Sequence, residues 1–228
     1  MAPAQGGMTR FYSLIAVAAI AGVGVIAYLM QNSKTVSIPA NVVVTAADTA
    51  GFRGYLLGSD SAPVEVTEYA DYQCPACQSF ATVQMPSIEE RLIRTGRVRL
   101  RYRDFPLDQI HRHTRVAAHS AACADEQGKY WPQHNSIYSW QPDWTTKSDA
   151  AGVFSDYAKA NGLDVAKYDA CMQAHTYAGR IQASLAEGEK VGVNSTPSFV
   201  IAGQLYRGTL PYDQLKHIVD SIAPQTAH

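Results

Sequence analysis

The chain has 228 residues, of which 46% are hydrophobic, and a formal net charge of −1. This composition supplies enough apolar residues for a buried core and excludes an intrinsically disordered protein. Acidic and basic residues are mixed along the chain, so we expect no nucleic-acid partner.

A run of 20 uncharged residues, 11–30, lies near the N-terminus. At about 1.5 Å per residue, a helix of this length matches the roughly 30 Å hydrocarbon core of a bilayer. We interpret residues 11–30 as a single-pass transmembrane anchor that follows a short flank at 1–10. The alternative is a cleaved signal peptide, which would have a shorter apolar segment and a small-residue cleavage site. Arg10 and Lys34 balance each other, so the flanking charges do not set the orientation.

Residues 31–57 are interpreted as a connector and residues 58–223 as one α/β domain. Apolar periodicity predicts helices at 75–95 and 211–222 and strands at 63–69, 97–104, 198–202 and 204–207. Pro86 should kink the first of these helices. A further helical region, at about 108–188, is too long for one crossover helix and predicts an all-helical insert. The order of elements therefore predicts a mixed central sheet with helices packed on it.

Strand 97–104 alternates strictly, which places its arginines on one face of the sheet: Arg97, Arg99, Arg101 and Arg103. We interpret this as a face that is solvated or paired with carboxylates. The alternative is a face that binds an anionic ligand.

The sequence Cys74-Pro75-Ala76-Cys77 lies where the first predicted strand passes into a helix. Proline suits the first position of a helix, so Cys74 should occupy the helix N-terminus. There the helix dipole and the free backbone N–H groups stabilise a thiolate and lower the cysteine pKa from about 8.5. This arrangement is typical of a redox-active dithiol, and a purely structural disulfide is the alternative.

The chain has four cysteines. If Cys74 pairs with Cys77, Cys123 can pair only with Cys171, across 171 − 123 = 48 positions. Such a bridge would stabilise the fold by about 4 kcal/mol in the chain-entropy model. The alternative is two unpaired, buried thiols. An even number of cysteines behind a membrane-targeting segment favours an oxidising, extracytoplasmic location.

Glu68 lies six residues before Cys74, on the strand that leads to the motif. A buried carboxyl group there would have a raised pKa and could exchange a proton with Cys77. The alternative is a carboxylate without a role. Thr196 and Pro197 precede the third predicted strand, where a proline removes one ladder donor and leaves an edge at which an extended polypeptide could pair.

We expect no metal, because a zinc site at the two cysteines would need two more ligands and the nearest histidines are not at paired ligand spacing. Those histidines are instead predicted to lie on helix surfaces or to form local hydrogen bonds: His111, His113, His119 and His134. Three tryptophans of the insert are predicted to pack in its core rather than to form a substrate platform: Trp131, Trp140 and Trp144.

Residues 57–222 resemble the DsbA-like thiol:disulfide oxidoreductases of the thioredoxin superfamily, especially the membrane-anchored bacterial type. The resemblance depends on five stretches, at 57–64, 68–77, 98–107, 126–134 and 191–199. It implies a thioredoxin-like fold with an inserted helical subdomain, no cofactor, and unfolded or reduced polypeptides as substrates. It also implies a membrane partner, quinone-linked in the family, that reoxidises the enzyme.

By resemblance, Cys74 matches the exposed nucleophile and Cys77 the buried resolving cysteine. Glu68 matches the buried acidic residue of the superfamily, Pro197 its cis-proline, and Thr196 the residue whose backbone pairs with substrate. Cys123 and Cys171 have counterparts in only some members.

The expected function is disulfide oxidation by a domain on the periplasmic side of the cytoplasmic membrane. Pro75 and Ala76 stand between the cysteines, without the histidine of the enterobacterial enzyme, which argues for a less oxidising couple. The direction therefore stays open at this point. An anchored reductase and a non-catalytic accessory subunit of a membrane complex are the alternatives.

Overall fold

The computed structural model describes the backbone of residues 6–32 and 36–224, and the side chains of residues 11–24 and 36–224. The chain divides into two units, Met1–Thr35 and Val36–His228. The first unit contains α1 (Gly6–Asn32), whose described side chains are exposed. Within the described part of the chain, no helix combines the length and the hydropathy needed to cross a membrane. The predicted flank at 1–10 and the last third of the predicted anchor, from residue 25, have side chains outside the described residues.

The second unit is built on a five-stranded mixed sheet with the order β1-β3-β2-β4-β5. Its strands are β1 (Tyr55–Leu57), β2 (Val64–Ala70), β3 (Val98–Asp104), β4 (Ser198–Ile201) and β5 (Gln204–Arg207). The pair β2 and β3 is parallel, and the other three pairs are antiparallel. All four predicted strands are present, and each agrees with its prediction to within one residue at either end.

Strand β1 lies inside the segment that the sequence assigned to the connector. It pairs with β3, with Tyr55 opposite Tyr102. Ile38 is also buried in the main hydrophobic cluster of this unit, and the short helix α2 (Ala46–Thr49) lies between the two. The folded unit therefore begins well before residue 58. The sequence analysis missed this strand because three residues are too few to show an alternating period.

The predicted helix at 75–95 is a helical run over residues 75–93 with two interruptions. It consists of α3 (Pro75–Ser79), a π-helical turn (Phe80–Gln84), α4 (Met85–Ile88) and a second π-helical turn (Glu89–Ile93). Pro86 lies between the two π turns, and a proline has no N–H to donate to the helix. The predicted helix is therefore present, and the backbone on both sides of α4 follows the wider π-helical pattern.

Six helices form the predicted insert: α5 (Thr114–Asp125), α6 (Tyr130–Ser139), α7 (Gln141–Thr145), α8 (Ala151–Ala160), α9 (Val165–Ala174) and α10 (Ala178–Lys190). Helix α11 (Tyr212–Ile222) follows the last strand. Trp144 is buried in the insert and Trp131 is partly buried, but Trp140 is 57% exposed. The prediction that all three tryptophans pack in the core is therefore wrong for Trp140. Its backbone ends α6 and caps α7, so the helical period does not continue through it.

The sheet has side chains on both faces, and the period of two along β2 decides which side each residue faces. Val64 and Val66 pack in a cluster with Phe80 and Leu92 of the helical run. Glu68 shares their parity, so it faces the same helical run that begins behind Cys74. The local alternation of the strand therefore places a carboxyl group beneath the redox motif.

The arginines of the β3 region are paired with carboxylates, as one branch of the sequence interpretation predicted. Arg99 donates to Glu65 at 2.5 Å, and Arg97 donates to Asp220 at 2.7 Å. Arg101 and Arg103 both contact Glu187 of α10. The pairs with Asp220 and Glu187 join this part of the sheet to α11 and α10, and their carboxylates balance the positive charge of the arginines.

Candidate functional site

Cys74 is the N-cap residue of α3, with extended backbone angles of φ −73° and ψ 122°. Pro75 takes the first helical position, where its missing N–H has no helical partner to lose. The Cys74 carbonyl accepts the first helical hydrogen bond, from Gln78 N–H at 3.1 Å. Its sulfur consequently lies at the positive end of the helix dipole, as the sequence predicts.

The pKa of Cys74 is lowered to about 5, chiefly by the hydrogen bond from the Cys77 thiol. Thr196 and the backbone N–H groups of Cys77 and Ala76 act in the same direction, and burial opposes them. As a thiol, Cys74 donates to the Thr196 carbonyl at 3.5 Å. The buried Thr196 hydroxyl makes no hydrogen bond within the described residues.

Both cysteines are buried, so the exposed position that the resemblance implies for Cys74 is wrong: Cys74 is only 7% exposed. Cys77 differs from Cys74 in the direction of its pKa shift. Its side chain is fully buried, and burial raises the pKa of its thiol well above the ordinary value. The charges that Cys74 and Glu68 carry when ionised raise it further. At neutral pH the reduced pair therefore holds one thiolate, on Cys74, and one thiol, on Cys77.

Glu68 is buried in the sheet beneath the motif, and burial raises the pKa of its carboxyl group to about 8. Tyr138 of α6 also lies within electrostatic range of both Glu68 and Cys77. A carboxylic acid that titrates near neutral pH beside a thiol of high pKa can pass a proton to that thiol or take one from it.

Thr196 and Pro197 lie immediately before β4, and the peptide bond between them is cis. The Thr196 carbonyl faces Cys74. Strand β4 itself is internal, between β2 and β5, so the sheet offers no edge from Ser198 onward. The edge proposed from sequence is thus confined to the residues ahead of Ser198.

The loop that carries Cys74 is fixed by side chains that sequence reasoning did not single out. Asp71 accepts from Gln73 N–H at 2.7 Å and from Leu107 N–H at 2.8 Å. Gln141 of α7 donates to the carbonyl groups of Tyr72 at 2.7 Å and Cys74 at 3.1 Å. The helical insert therefore holds the redox loop in place through the hydrogen bonds of Gln141.

The remaining predicted pair, Cys123 and Cys171, forms a disulfide between α5 and α9. His119 lies against it, with Nδ1 3.4 Å from Cys123 Sγ and 3.3 Å from Met172 Sδ. His119, Cys123 and Cys171 lie close enough together to form a metal-ligand cluster by geometry alone. Their two sulfur atoms are bonded to each other, however, and offer no thiolate to a metal.

The four insert histidines singled out from the sequence, His111, His113, His119 and His134, form hydrogen bonds, and none of them lies on an open surface. His134 is buried and bonds to Tyr72 Oη through Nδ1 at 2.8 Å. His113 Nε2 lies 2.9 Å from the Lys147 carbonyl oxygen. His111 bonds to Asp71 at 2.9 Å, which places it beside the redox loop.

A family model described as thioredoxin matches residues 53–221. The thioredoxin-like fold expected from the resemblance, with its mixed sheet and flanking helices, is confirmed. The structure also superimposes on the crystal structure of oxidised BdbD from Bacillus subtilis with a TM-score of 0.66. That match covers 80% of this chain and 98% of BdbD, at 22% sequence identity.

Two curated relatives are matched over very different shares of their own length. Over 168 residues the chain is 26% identical to the probable disulfide bond formation protein D of Bacillus anthracis, covering 72% of this chain and 76% of that protein. Over 161 residues it is 31% identical to the Na(+)/H(+) antiporter NhaA 3 of Salinispora tropica, covering 71% of this chain. The chain spans only 23% of the length of that antiporter.

Proposed function

The chain belongs to the thioredoxin family and is a DsbA-like thiol:disulfide oxidoreductase, and on that premise we propose that it is a protein disulfide oxidase. Its substrates would be unfolded or reduced polypeptides. The observation that supports this direction is the pKa of Cys74, lowered to about 5. A stabilised thiolate favours the reduced form of the couple, and a couple whose reduced form is favoured oxidises others.

In the proposed reaction, a substrate thiolate attacks Sγ of Cys74 in the Cys74–Cys77 disulfide. The bond between the two cysteines breaks, a mixed disulfide with Cys74 forms, and Cys77 leaves as a thiolate. A second substrate thiolate then attacks the substrate sulfur of the mixed disulfide and releases Cys74 as a thiolate. The substrate loses two electrons and gains a disulfide, and the enzyme gains the same two electrons. The low pKa of Cys74 speeds this release, because a more acidic thiol leaves faster.

Glu68 supplies the proton that Cys77 needs in this scheme. Its carboxyl group, with a pKa of about 8, is largely protonated at neutral pH. When Cys77 leaves as a buried thiolate, Glu68 can protonate it, and in the reverse reaction the carboxylate can take the proton back. The transfer moves the buried negative charge from the Cys77 sulfur to the Glu68 carboxylate, which is the weaker base because the pKa of Glu68 is about 8 whereas burial raises that of Cys77 well above its ordinary value.

Thr196 and Pro197 are proposed to hold the substrate chain beside Cys74. The Thr196 carbonyl lies 3.5 Å from the Cys74 sulfur, so a polypeptide that pairs with this backbone would bring its own sulfur to the nucleophile. The Cys123–Cys171 disulfide is assigned a structural role, because it joins two helices of the insert away from this pair.

We propose further that the enzyme is attached to the cytoplasmic membrane by residues 11–30, with its catalytic domain in the periplasm. The uncharged run of 20 residues and the even number of cysteines support this location.

An oxidase ends each cycle in the reduced state, so it requires an electron acceptor. A quinone-linked membrane protein is the proposed recycling partner, and the enzyme itself would need no cofactor.

The test is the reduction potential of the purified chain, equilibrated in glutathione buffers, together with the Cys74 pKa from thiolate absorbance. An oxidase should have a potential towards about −120 mV and a Cys74 pKa well below 7. A potential near about −270 mV, as in thioredoxin, would instead assign the chain as a reductase. No exchange at all would leave the accessory-subunit alternative.

A further inference from the structure

The redox loop has an ionisable neighbour that the exchange scheme above does not use. His111 belongs to the segment between β3 and α5, which is distant in sequence from the cysteine motif. Its Nδ1 lies 2.9 Å from Oδ2 of Asp71, and its side chain is 14% exposed. The fold therefore brings an imidazole, mostly shielded from solvent, to the turn that ends at Cys74.

Asp71 holds this imidazole in a fixed position relative to the nucleophile. The Asp71 side chain is fully buried, and its two oxygens accept hydrogen bonds from Gln73 N–H and Leu107 N–H. The Asp71 carbonyl accepts from Cys74 N–H at 3.1 Å, which closes the turn. Asp71 thus joins the backbone of the nucleophile, the segment at 107–111 and the His111 ring.

The other charged and titratable groups of residues 107–113 are engaged away from the loop. Asp108 pairs with Arg115 at 2.8 Å. Arg112 contacts the Lys147 carbonyl oxygen and donates to His113 Nε2 at 2.7 Å. The groups that act on His111 electrostatically are Asp71 and Cys74.

We propose that His111 is a positioning residue for the redox couple: as an imidazolium held by Asp71, it stabilises the Cys74 thiolate and thereby sets how oxidising the couple is. The hydrogen bond to Asp71 raises the pKa of His111 above its ordinary value, which favours the charged ring. The Cys74 charge acts in the same direction. The couple should therefore become less oxidising as pH rises through the His111 pKa, beyond the ordinary pH dependence of thiols.

The interaction must act equally on both partners, because a coupling free energy between two sites is reciprocal. If the imidazolium stabilises the thiolate, the thiolate stabilises the imidazolium. The pKa of His111 should then be higher in the reduced protein, which has the thiolate, than in the oxidised protein, which does not. A residue with only a structural role has no reason to show this difference.

The test uses the full chain with His111→Gln, which keeps a hydrogen-bond donor towards Asp71 but removes the charge. At pH 6, the equilibrium constant for oxidation of the pair by glutathione disulfide should rise about tenfold, which is about 30 mV towards a more reducing couple. Above the pH at which the His111 ring of the native protein loses its charge, the two proteins should agree. His111→Lys should have the same potential as the native protein at pH 6. At pH 9 it should be more oxidising than the native protein, because lysine keeps its positive charge there.

His113→Gln is the matched control, because His113 lies in the same segment but its Nε2 faces Arg112 and the Lys147 carbonyl oxygen rather than Asp71. Its potential should equal that of the native protein at both pH values. An NMR titration of His111 in the oxidised and reduced native protein supplies a readout that needs no variant.

Equal potentials for the native protein and His111→Gln at pH 6 would overturn the proposal, as would a His111 pKa that does not depend on redox state. The inference rests on exchange at Cys74 and Cys77, but the two can fail separately. A native protein without exchange would refute the proposed function, whereas normal exchange with an unchanged potential in His111→Gln would refute only the role of His111.

Discussion

The two cysteine pairs of this domain lie in contrasting surroundings. Both pairs belong to the same buried hydrophobic cluster. Cys74 is the N-cap of α3, beside the backbone N–H groups of Ala76 and Cys77, whereas Cys123 and Cys171 lie within α5 and α9 and are bonded to each other. The first environment stabilises a thiolate, and the second offers little to stabilise one. The same residue type therefore serves exchange chemistry in one place and cross-linking in the other, and the surroundings of the sulfur decide which.

The largest effect that we expect comes from removing the nucleophile. Cys74→Ser should reduce the oxidation of a reduced, unfolded protein by several orders of magnitude, because no other described thiol lies at a helix N-terminus. Cys77→Ser, the matched variant, should instead accumulate a mixed disulfide when it is mixed with an oxidised substrate. Its Cys74 thiolate attacks the substrate disulfide and releases one substrate thiolate, and no Cys77 thiol remains to resolve the product, which non-reducing electrophoresis detects. Substantial activity in Cys74→Ser would contradict the assignment of exchange chemistry to the Cys74–Cys77 pair alone.

Removal of the second pair should affect stability rather than chemistry. The double variant Cys123→Ala, Cys171→Ala should lower the free energy of unfolding by up to about 4 kcal/mol, because the lost bridge closes a long loop. Urea denaturation measures this loss, and the exchange rate of the folded variant should stay close to that of the native protein. The double variant Cys74→Ala, Cys77→Ala is the control, since its loop is too short for a comparable entropic contribution. A loss of exchange at full stability would show that the Cys123–Cys171 bridge takes part in the chemistry.

Glu68 should make the stability of the domain depend on pH. Its pKa is raised in the folded protein to about 8, so the protonated form is favoured by folding. Its contribution is complete below about pH 4.5 and is lost as pH rises through about 8. In the oxidised protein, Glu68→Gln should therefore be more stable than the native protein at pH 9, by on the order of 3 kcal/mol, and similar to it at pH 4.

Glu65→Gln is the control for this experiment, since Glu65 lies on the same strand but pairs with Arg99 near the surface. It should not show the gain at pH 9. If the difference in stability between Glu68→Gln and the native protein were the same at pH 4 and pH 9, the pKa of Glu68 would not be raised by folding. Proton transfer to Cys77 would then need another source.

The smallest expected effect concerns the support of the redox loop. Gln141→Ala removes the two hydrogen bonds that the Gln141 amide donates to the carbonyl groups of Tyr72 and Cys74. The Cys74 carbonyl keeps its bond from Gln78 N–H, but the Tyr72 carbonyl loses its donor, and an unpaired buried carbonyl group costs about 1–3 kcal/mol. Thermal unfolding should show this loss, together with slower exchange from a less fixed Cys74. Gln127→Ala, which removes an exposed side chain bonded to Asp164, should change both quantities less. Equal losses in the two variants would mean that the insert does not support the site.

Local signals in the sequence determined the central elements and the motif. The alternation of Val64, Val66 and Glu68 indicates a strand and also places the acid on the face towards the helix, because side chains repeat every two residues along a strand. Pro75 after Cys74 marks a helix start, since proline fits the first helical position. Both inferences depend only on residues that are neighbours in the chain.

Tertiary structure alone decided what surrounds the nucleophile. Asp71 bonds with Leu107 and His111, which are 36 and 40 residues away, and Gln141 reaches Cys74 across 67 residues. It also made a three-residue strand of Tyr55–Leu57, through its pairing with β3. No local period encodes such contacts, because they arise only when distant segments pack against each other. The sequence by itself therefore determined where a reactive cysteine stands, whereas the packing of the insert decided which charges and donors it meets.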